Sequence, residues 1–175
     1  MFLNKKKLFL LISISLIFFF LNYNDIESDE IKVISGIAKV TDGDTIRIGE
    51  KKIRLLGIDA PEIKQTCKKT WFSTSFISFK KDYPCGKIST IRLKKKINDK
   101  FIICKYINKD RYKRYIAECF KNKININAWM VRSGHAVAYK KYSKKFVAEE
   151  NIARKEKSGL WSGTFEMPWD FRKKN

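Results

Sequence analysis

The 175-residue sequence has few of the residues on which several common architectures and active sites depend. Its eight glycines and three prolines exclude collagen-like and proline-rich chains. It has one histidine, His135, which excludes a site with several histidine ligands, and a serine–histidine triad would have to use this residue. No two cysteines form a CxxC pair, which argues against a zinc ribbon. Catalysis by this chain would therefore depend on carboxylates, arginines and a metal ion.

Acidic residues are also scarce relative to basic ones. The chain has 38 lysines and arginines against 18 aspartates and glutamates, for a formal net charge of +20 at pH 7. A charge of this size favours a polyanionic partner, either nucleic acid or an anionic membrane surface. A generally lysine-rich composition is the alternative explanation. Hydrophobic residues make up 44% of the sequence, enough for one domain with a real core.

The amino terminus has the pattern of a targeting segment. Three lysines at 5–7 precede an apolar run at 8–21 that is interrupted only by Ser13 and Ser15. A charged segment followed by such a run is typical of a secretory signal, and about 21 Å of helix is shorter than the roughly 30 Å hydrocarbon core. No small-x-small cleavage site follows the run. We therefore expect residues 1–24 to be either a signal peptide or an uncleaved membrane anchor, with the rest of the chain exported: secreted, periplasmic or anchored facing outward.

After the leader, residues 25–33 are predicted to be an acidic linker, and residues 34–170 a single domain. Short β-rich runs at 37–40, 45–48 and 53–58 are separated by turn signals and predict a three-stranded meander. Residues 63–84 are interpreted as a long loop, and residues 100–121 as a β-hairpin. Helices are predicted at 87–97, around 126–130 and at 143–157. Five strands and about three helices predict an α+β domain around a small barrel.

The four cysteines, Cys67, Cys85, Cys104 and Cys119, are expected to form disulfides if the chain is exported. Three connectivities are possible, and four reduced buried thiols are the alternative. Cys104 and Cys119 fall on the two arms of the predicted 100–121 hairpin, so that their sulfurs lie roughly opposite. This favours a Cys104–Cys119 bond and leaves Cys67 to pair with Cys85.

Carboxylates follow two of the predicted strands. Asp42 and Asp44 lie in the turn after the first strand, and Asp59 and Glu62 follow the third. Because both of these strands can neighbour the second in a small barrel, their loops can share one end. Oxygen clusters of this kind bind hard cations such as Ca²⁺ and Mg²⁺. Taken separately, each segment could equally be an ordinary turn or strand stop.

Two arginines add to this group. Arg54 lies inside a strand between apolar neighbours, where it needs an anionic partner: Asp44 or Asp59 in a structural role, or a phosphate in a functional one. Arg114 follows the predicted hairpin tip and could reach the same barrel mouth. Two arginines, a hard metal ion and a carboxylate are the groups that phosphoryl transfer requires.

These residues occur in segments that resemble the staphylococcal-type thermonucleases. The segments are 40–45 (VTDGDT), 53–62 (IRLLGIDAPE), 110–114 (DRYKR), 130–134 and 159–161, in the family's order and at similar spacing. The resemblance covers roughly residues 34–161 and implies a five-stranded OB-fold barrel. It also implies that Asp44, Asp59 and the Ala60 carbonyl bind Ca²⁺.

The resemblance implies roles for six further residues. Glu62 would activate or orient the attacking water, and Arg54 and Arg114 would hold the scissile phosphate. Binding of the rest of the nucleotide would fall to Arg111, Tyr112 and Tyr139.

Lys113 and His135 lie in the same region of resemblance and have no catalytic role assigned to them. Lys113 replaces a glycine of the family and would be strained if its φ angle were positive. His135 is expected to be a partly buried, neutral side chain.

Together these features predict an exported, calcium-dependent nuclease that hydrolyses DNA and RNA with little sequence preference. The resemblance further implies 3′-phosphate products, and the protein is expected to act as a monomer, with possible membrane attachment through residues 8–21. One alternative is a non-catalytic OB-fold module that binds nucleic acid. Another is a basic domain that docks on anionic lipid.

Overall fold

The computed structural model describes residues 31–73 and 76–174. The predicted leader at 1–24 lies outside the described residues, as do residues 25–30 of the predicted linker. Strand β1 begins at Lys32, so the last two linker positions belong to the first strand. Within the described part of the chain, no helix is long and apolar enough to cross a membrane.

Five strands form a closed barrel. They are β1 (Lys32–Val40), β2 (Thr45–Ile48), β3 (Lys51–Leu55), β7 (Phe101–Lys109) and β8 (Tyr115–Lys121). Neighbours pair in the order β3-β2-β1-β7-β8, and a parallel pairing of β3 with β8 closes the barrel. The predicted α+β fold with a five-stranded OB-type barrel is confirmed.

The barrel closes because one face of each strand is apolar. Ile46 and Ile53, on paired strands, are fully buried, as are Ile102 on β7 and Ala117 on β8. Gly36 lets β1 approach β2, since a Cβ at this position would lie 2.7 Å from the Ile48 side chain. The short β4 (Ile58–Asp59) leaves the barrel and pairs with β10 (Val137–Ala138), and β9 (Ile124–Asn125) extends the sheet beyond β8.

The described residues contain four α-helices rather than about three. These are α1 (Cys85–Ile97), α2 (Ile126–Arg132), α3 (Val147–Lys155) and α4 (Pro168–Lys174), with a 3₁₀ turn at Gly159–Ser162. Helix α1 begins two residues earlier than predicted, directly after Pro84. Helix α3 is shorter than the predicted 143–157, because hydrogen-bonded turns replace its first residues. Helix α4 was not predicted, although a proline at its first position is a helix-start signal.

The interpretation of residues 63–84 as a long loop is wrong. This region contains a β-hairpin of β5 (Cys67–Ser73) and β6 (Ser78–Tyr83), and β11 (Gly163–Thr164) adds a third strand at its base. The strands were missed because residues on both of their faces are exposed, so that no alternation of apolar and polar residues marks them.

Both predicted disulfides are confirmed. Cys104 and Cys119 face each other across β7 and β8, with their Cα atoms 4.0 Å apart. Cys67 and Cys85 join the start of β5 to the start of α1, with a Cα separation of 5.6 Å. The first bond lies in the barrel core and the second at the base of the hairpin.

Candidate active site

A cleft of about 800 Å³ opens at one end of the barrel. It is lined by the β1–β2 turn, the segment from β3 to Glu62, the β7–β8 loop and the residues after β10. Eight of the predicted site residues line it: Asp44, Arg54, Ala60, Glu62, Arg111, Tyr112, Arg114 and Tyr139. The ninth, Asp59, is fully buried and bonds Arg54 directly. The fold therefore brings together residues that are nearly a hundred positions apart in the sequence.

The β1–β2 turn presents Asp44 to the base of this cleft. The Asp42 carboxylate accepts a hydrogen bond from the Asp44 backbone N–H, which fixes the turn. Asp44 is 3% exposed, and its Oδ2 accepts a hydrogen bond from the Ala60 N–H at 2.9 Å. Burial raises the pKa of Asp42 above its ordinary value, although Thr45 and Arg54 partly offset this. One buried aspartate thus joins the turn to the segment that carries Asp59 and Glu62.

Arg54 links the two predicted metal-binding aspartates. Ile53 and Leu55 point into the core, so Arg54 points to the opposite face of β3. Its guanidinium forms ion pairs with Asp44 and with Asp59, the latter at 2.6 Å. The Arg54 side chain remains 16% exposed and lines the cleft. It therefore has both carboxylate partners that the sequence suggested, and it can still contact a group that enters the cleft.

Asp110 orients the second arginine. Its carboxylate accepts hydrogen bonds from the N–H groups of Tyr112 and Arg114, both at 2.9 Å, and from Arg114 Nε at 2.7 Å. Burial opposes ionisation, but these bonds outweigh it and hold the pKa of Asp110 below its ordinary value. Lys113 adopts φ of 61° in this turn, so the strain expected there on replacing glycine is present.

The position of Glu62 depends on two residues that the sequence analysis missed. Gln65, fully buried, accepts a hydrogen bond from the Glu62 N–H and donates one to the Glu166 carbonyl at 2.7 Å. Gly86 lets helix α1 pack on the same loop, because a Cβ there would lie 1.7 Å from the Glu62 carbonyl oxygen. A glycine in the first turn of a helix was the only sequence signal of this close approach.

A third arginine, Arg172 of helix α4, also reaches the site. Its guanidinium bonds both Asp59 oxygens, at 3.1 and 2.8 Å, and Glu62 Oε1 at 2.7 Å. Partial burial opposes the charged form, but the bonds to Asp59 and Glu62 outweigh it and raise the pKa of Arg172 above its ordinary value. The predicted domain ends at residue 170 and does not include Arg172, since only the fold brings this residue next to Asp59.

The predicted nucleotide-binding residues lie along the rim. Arg111 and Tyr112 are exposed, and the Arg111 guanidinium lies 4.9 Å from the centre of the Tyr112 ring. Tyr139 also lines the cleft and stacks on Trp169 of α4, with ring centres 5.3 Å apart. His135 is partly buried, and burial together with the nearby Arg92 lowers its pKa to about 4. The expectation of a neutral histidine is therefore confirmed.

The donor atoms fit a hard divalent cation. Asp44 and Asp59 are buried carboxylates, and the two of them share a cationic partner, Arg54. Within residues 31–73 and 76–174, no three acidic, histidine or cysteine side chains form a metal cluster by themselves. The Ala60 carbonyl, water and a substrate phosphate would have to complete the shell. Ca²⁺ accepts such a mixed set of six to eight oxygen ligands.

Comparison with known proteins identifies the same family as the sequence segments. Residues 52–163 match the family model described as staphylococcal nuclease homologue. A protein described as an uncharacterized endonuclease from Escherichia coli O157:H7 is 34% identical over 147 residues, 78% of this chain and 84% of the relative.

Two further relatives extend the comparison. An uncharacterized endonuclease of Haemophilus influenzae is 35% identical over 169 residues, 91% of this chain and 80% of the relative. A probable staphylococcal-like nuclease, CAN2, of Oryza sativa subsp. japonica is 33% identical over 133 residues, 74% of this chain but 31% of the relative. The segment matched by the family model contains Arg54, Asp59, Glu62 and Arg114, and begins after the β1–β2 turn that carries Asp44.

Proposed function

The chain belongs to the staphylococcal nuclease homologue family, and on this basis we propose that it is a calcium-dependent endonuclease that hydrolyses DNA and RNA. The observation that carries the proposal is the convergence of Asp44, Asp59, Glu62, Arg54 and Arg114 at one cleft. A barrel that only bound nucleic acid would not need buried carboxylates beside two arginines, because carboxylates repel phosphate.

Each of these residues has a separate role in the proposed chemistry. Glu62 accepts a proton from the attacking water, and Arg54 and Arg114 donate hydrogen bonds to phosphate oxygens, on which negative charge increases in the transition state. Asp44, Asp59 and the Ala60 carbonyl would hold a Ca²⁺ ion, which would supply Lewis-acid stabilisation of the phosphate. The water oxygen bonds to phosphorus as the bond to the 5′ oxygen breaks, and the 5′ oxygen takes up a proton from solvent. The products are a 3′-phosphate end and a 5′-hydroxyl end.

The proposed substrates follow from charge and from the rim. A net charge of +20 provides sequence-independent attraction to the phosphate backbone. Arg111 and Tyr112 offer a cation and a ring to the nucleotide next to the scissile bond, and Tyr139 lines the same cleft. None of these contacts requires a particular base, so we expect little sequence preference.

The proposed location is outside the cytoplasm, with residues 1–24 acting as signal or anchor. Two disulfides support it, since such bonds persist mainly in oxidising compartments. Fractionation of cells that produce the whole chain would test this proposal. Recovery of reduced protein in the cytoplasm would contradict it.

The decisive experiment for the activity is a gel assay on single-stranded DNA, double-stranded DNA and RNA. We expect cleavage with Ca²⁺, little with Mg²⁺ and none with excess chelator. The doubly substituted Asp44→Asn, Glu62→Gln protein is the control for a contaminating nuclease. Tight binding without cleavage by the parent would favour the non-catalytic module instead, and flotation with anionic liposomes without nucleic-acid binding would favour lipid docking.

A further inference from the structure

Helix α4 contacts three parts of the proposed site at once. Arg172 bonds the predicted metal ligand Asp59 and the predicted catalytic Glu62. Trp169 covers one face of the Tyr139 ring, with an interplanar angle of 8°. The segment before the helix accepts a hydrogen bond from Gln65, which also holds Glu62. One short helix near the end of the chain thus contacts the metal, water and nucleotide regions together.

The Arg172 guanidinium bonds the Asp59 carboxylate oxygens that the proposed cation would bind. Its Nη1 and Nη2 bond Oδ1 and Oδ2 of Asp59, and Oδ1 also bonds Arg54. Asp59 is fully buried, and Arg172 bonds the one carboxylate oxygen, Oδ2, that Arg54 does not bond. A divalent ion and a guanidinium at the same carboxylate also repel each other, which is costly at a buried site.

The contacts are strong but exchangeable. Arg172 is 37% exposed, whereas Asp59 is inaccessible, so the arginine can leave toward solvent while the aspartate stays in place. The helix has seven residues, and the buried Pro168 holds it at the end opposite Arg172. Its other ion pairs, Lys173 with Asp170 and Lys174 with Glu166, lie within the tail itself. Displacing Arg172 therefore does not require unfolding of the barrel.

We propose that Arg172 is a further residue of this site that sets its calcium affinity, by competing with the ion for Asp59 and by bonding Glu62 until the ion is bound. This inference rests on the proposed function. Calcium must displace the guanidinium, so half-occupancy of the site requires a higher calcium concentration than the two aspartates alone would require. The displaced guanidinium is then available near the cleft, where a phosphate can replace its carboxylate partners.

The test measures calcium affinity without using activity. The whole protein, Arg172→Met and Lys173→Ala would each be titrated with Ca²⁺ by calorimetry and by the calcium-induced shift in Tm. Methionine keeps much of the apolar stem and removes the guanidinium, and Lys173 is a matched cation one residue away that pairs with Asp170 of its own helix. We expect Arg172→Met to bind Ca²⁺ about 10-fold more tightly, within the usual range for coupled sites. Lys173→Ala should match the parent.

A second variant, Trp169→Ala, keeps the proposal testable if Arg172→Met does not fold. Trp169→Ala removes the stacking on Tyr139 and retains Arg172, so it should also tighten calcium binding, though less than Arg172→Met. Calcium affinity unchanged or weaker in Arg172→Met and Trp169→Ala would overturn the inference while leaving the nuclease proposal intact. A raised KM for oligonucleotide with unchanged calcium affinity would make Arg172 a phosphate contact only, and would also overturn it. A parent that binds no calcium and cleaves nothing would overturn both proposals.

Discussion

The barrel mouth, where loops join the barrel strands, and the β5–β6 hairpin are held together by different interactions. At the mouth, each buried charge has a partner: Asp44 and Asp59 bond Arg54, and Asp110 bonds Arg114. Trp71 on the hairpin is 80% exposed, and the rings of Phe72 and Phe79 lie 6.4 Å apart with half of each side chain in solvent. The mouth is preorganised by charge pairing, whereas the hairpin is held mainly by backbone pairing and one disulfide.

This difference explains why we expect function at the barrel mouth and tolerance of substitutions in the hairpin. Buried ion pairs are stable only while both partners remain, and losing one leaves an uncompensated charge. Exposed side chains bury little surface, so changing them alters stability by tenths of a kcal/mol. Substitutions in the two regions should therefore give effects of very different size.

The largest effect is expected for Arg54→Lys. Lysine keeps the charge but loses the planar fork that can bond two oxygens. We expect kcat to fall by about 10²- to 10³-fold, a loss of about 2.7–4 kcal/mol of transition-state stabilisation, with little change in KM. Steady-state kinetics at saturating Ca²⁺ measures this, with Lys69→Arg on the hairpin as the control.

Circular dichroism must show a folded Arg54→Lys protein, because Arg54 also joins Asp44 and Asp59. A folded variant that stays within about threefold of the parent would mean that the guanidinium is structural and does not hold the phosphate.

Glu62→Gln should lower kcat by about 10²-fold, because an amide cannot accept the proton of the attacking water. Binding of nucleic acid should be retained, since the substitution removes a negative charge from the cleft. Electrophoretic mobility shift and kcat, measured on the same preparation, separate the two effects. Unchanged kcat in Glu62→Gln would remove Glu62 from the proposed mechanism.

The two disulfides allow the contributions of the barrel and the hairpin to stability to be compared. Removing Cys104–Cys119 by double substitution to alanine should lower the free energy of unfolding by about 3 kcal/mol, the loop-entropy value for a loop of this length. Both residues are fully buried in the barrel core, so small cavities add to the loss. Chemical denaturation under non-reducing conditions gives the value. A loss below about 1 kcal/mol would show that strand pairing alone fixes this part of the barrel.

The Cys67–Cys85 bond should matter less for unfolding of the barrel but should affect the mouth. Cys85 begins helix α1, whose Gly86 packs against the Glu62 carbonyl. We expect the double alanine variant to be cleaved faster in the hairpin by limited proteolysis and to show a several-fold lower kcat. Equal loss of stability in the two disulfide variants would contradict the view that the hairpin is an appendage.

The same two regions show what the sequence could predict. The barrel strands were predicted because β-rich runs are separated by turn signals, and the Cys104–Cys119 pair because a polar turn places the two cysteines opposite each other. The hairpin at 67–83 was missed because both of its faces are exposed. Arg172, Gln65 and Gly86 were missed because their contacts with Glu62 and Asp59 depend on tertiary packing that no local pattern records. Asp44, Asp59, Glu62, Arg54 and Arg114 were found from their positions in or next to predicted strands and turns. Ala60, Arg111, Tyr112 and Tyr139 were found only through the family resemblance, and helix α4 lies beyond the segment that the resemblance covers.

The smallest effect is expected for Trp71→Ser. The Trp71 side chain is largely in solvent and lies at an irregularity in the β5–β6 register. Replacing it should change the free energy of unfolding by no more than about 0.5 kcal/mol and should leave kcat unchanged. Denaturation and kinetics measured on Trp71→Ser and Arg54→Lys together compare the smallest and the largest expected effects in one protein. A loss of more than about 1 kcal/mol, or a clear fall in kcat, would mean that the hairpin packs on the domain or reaches substrate, and the contrast between the two regions would then be wrong.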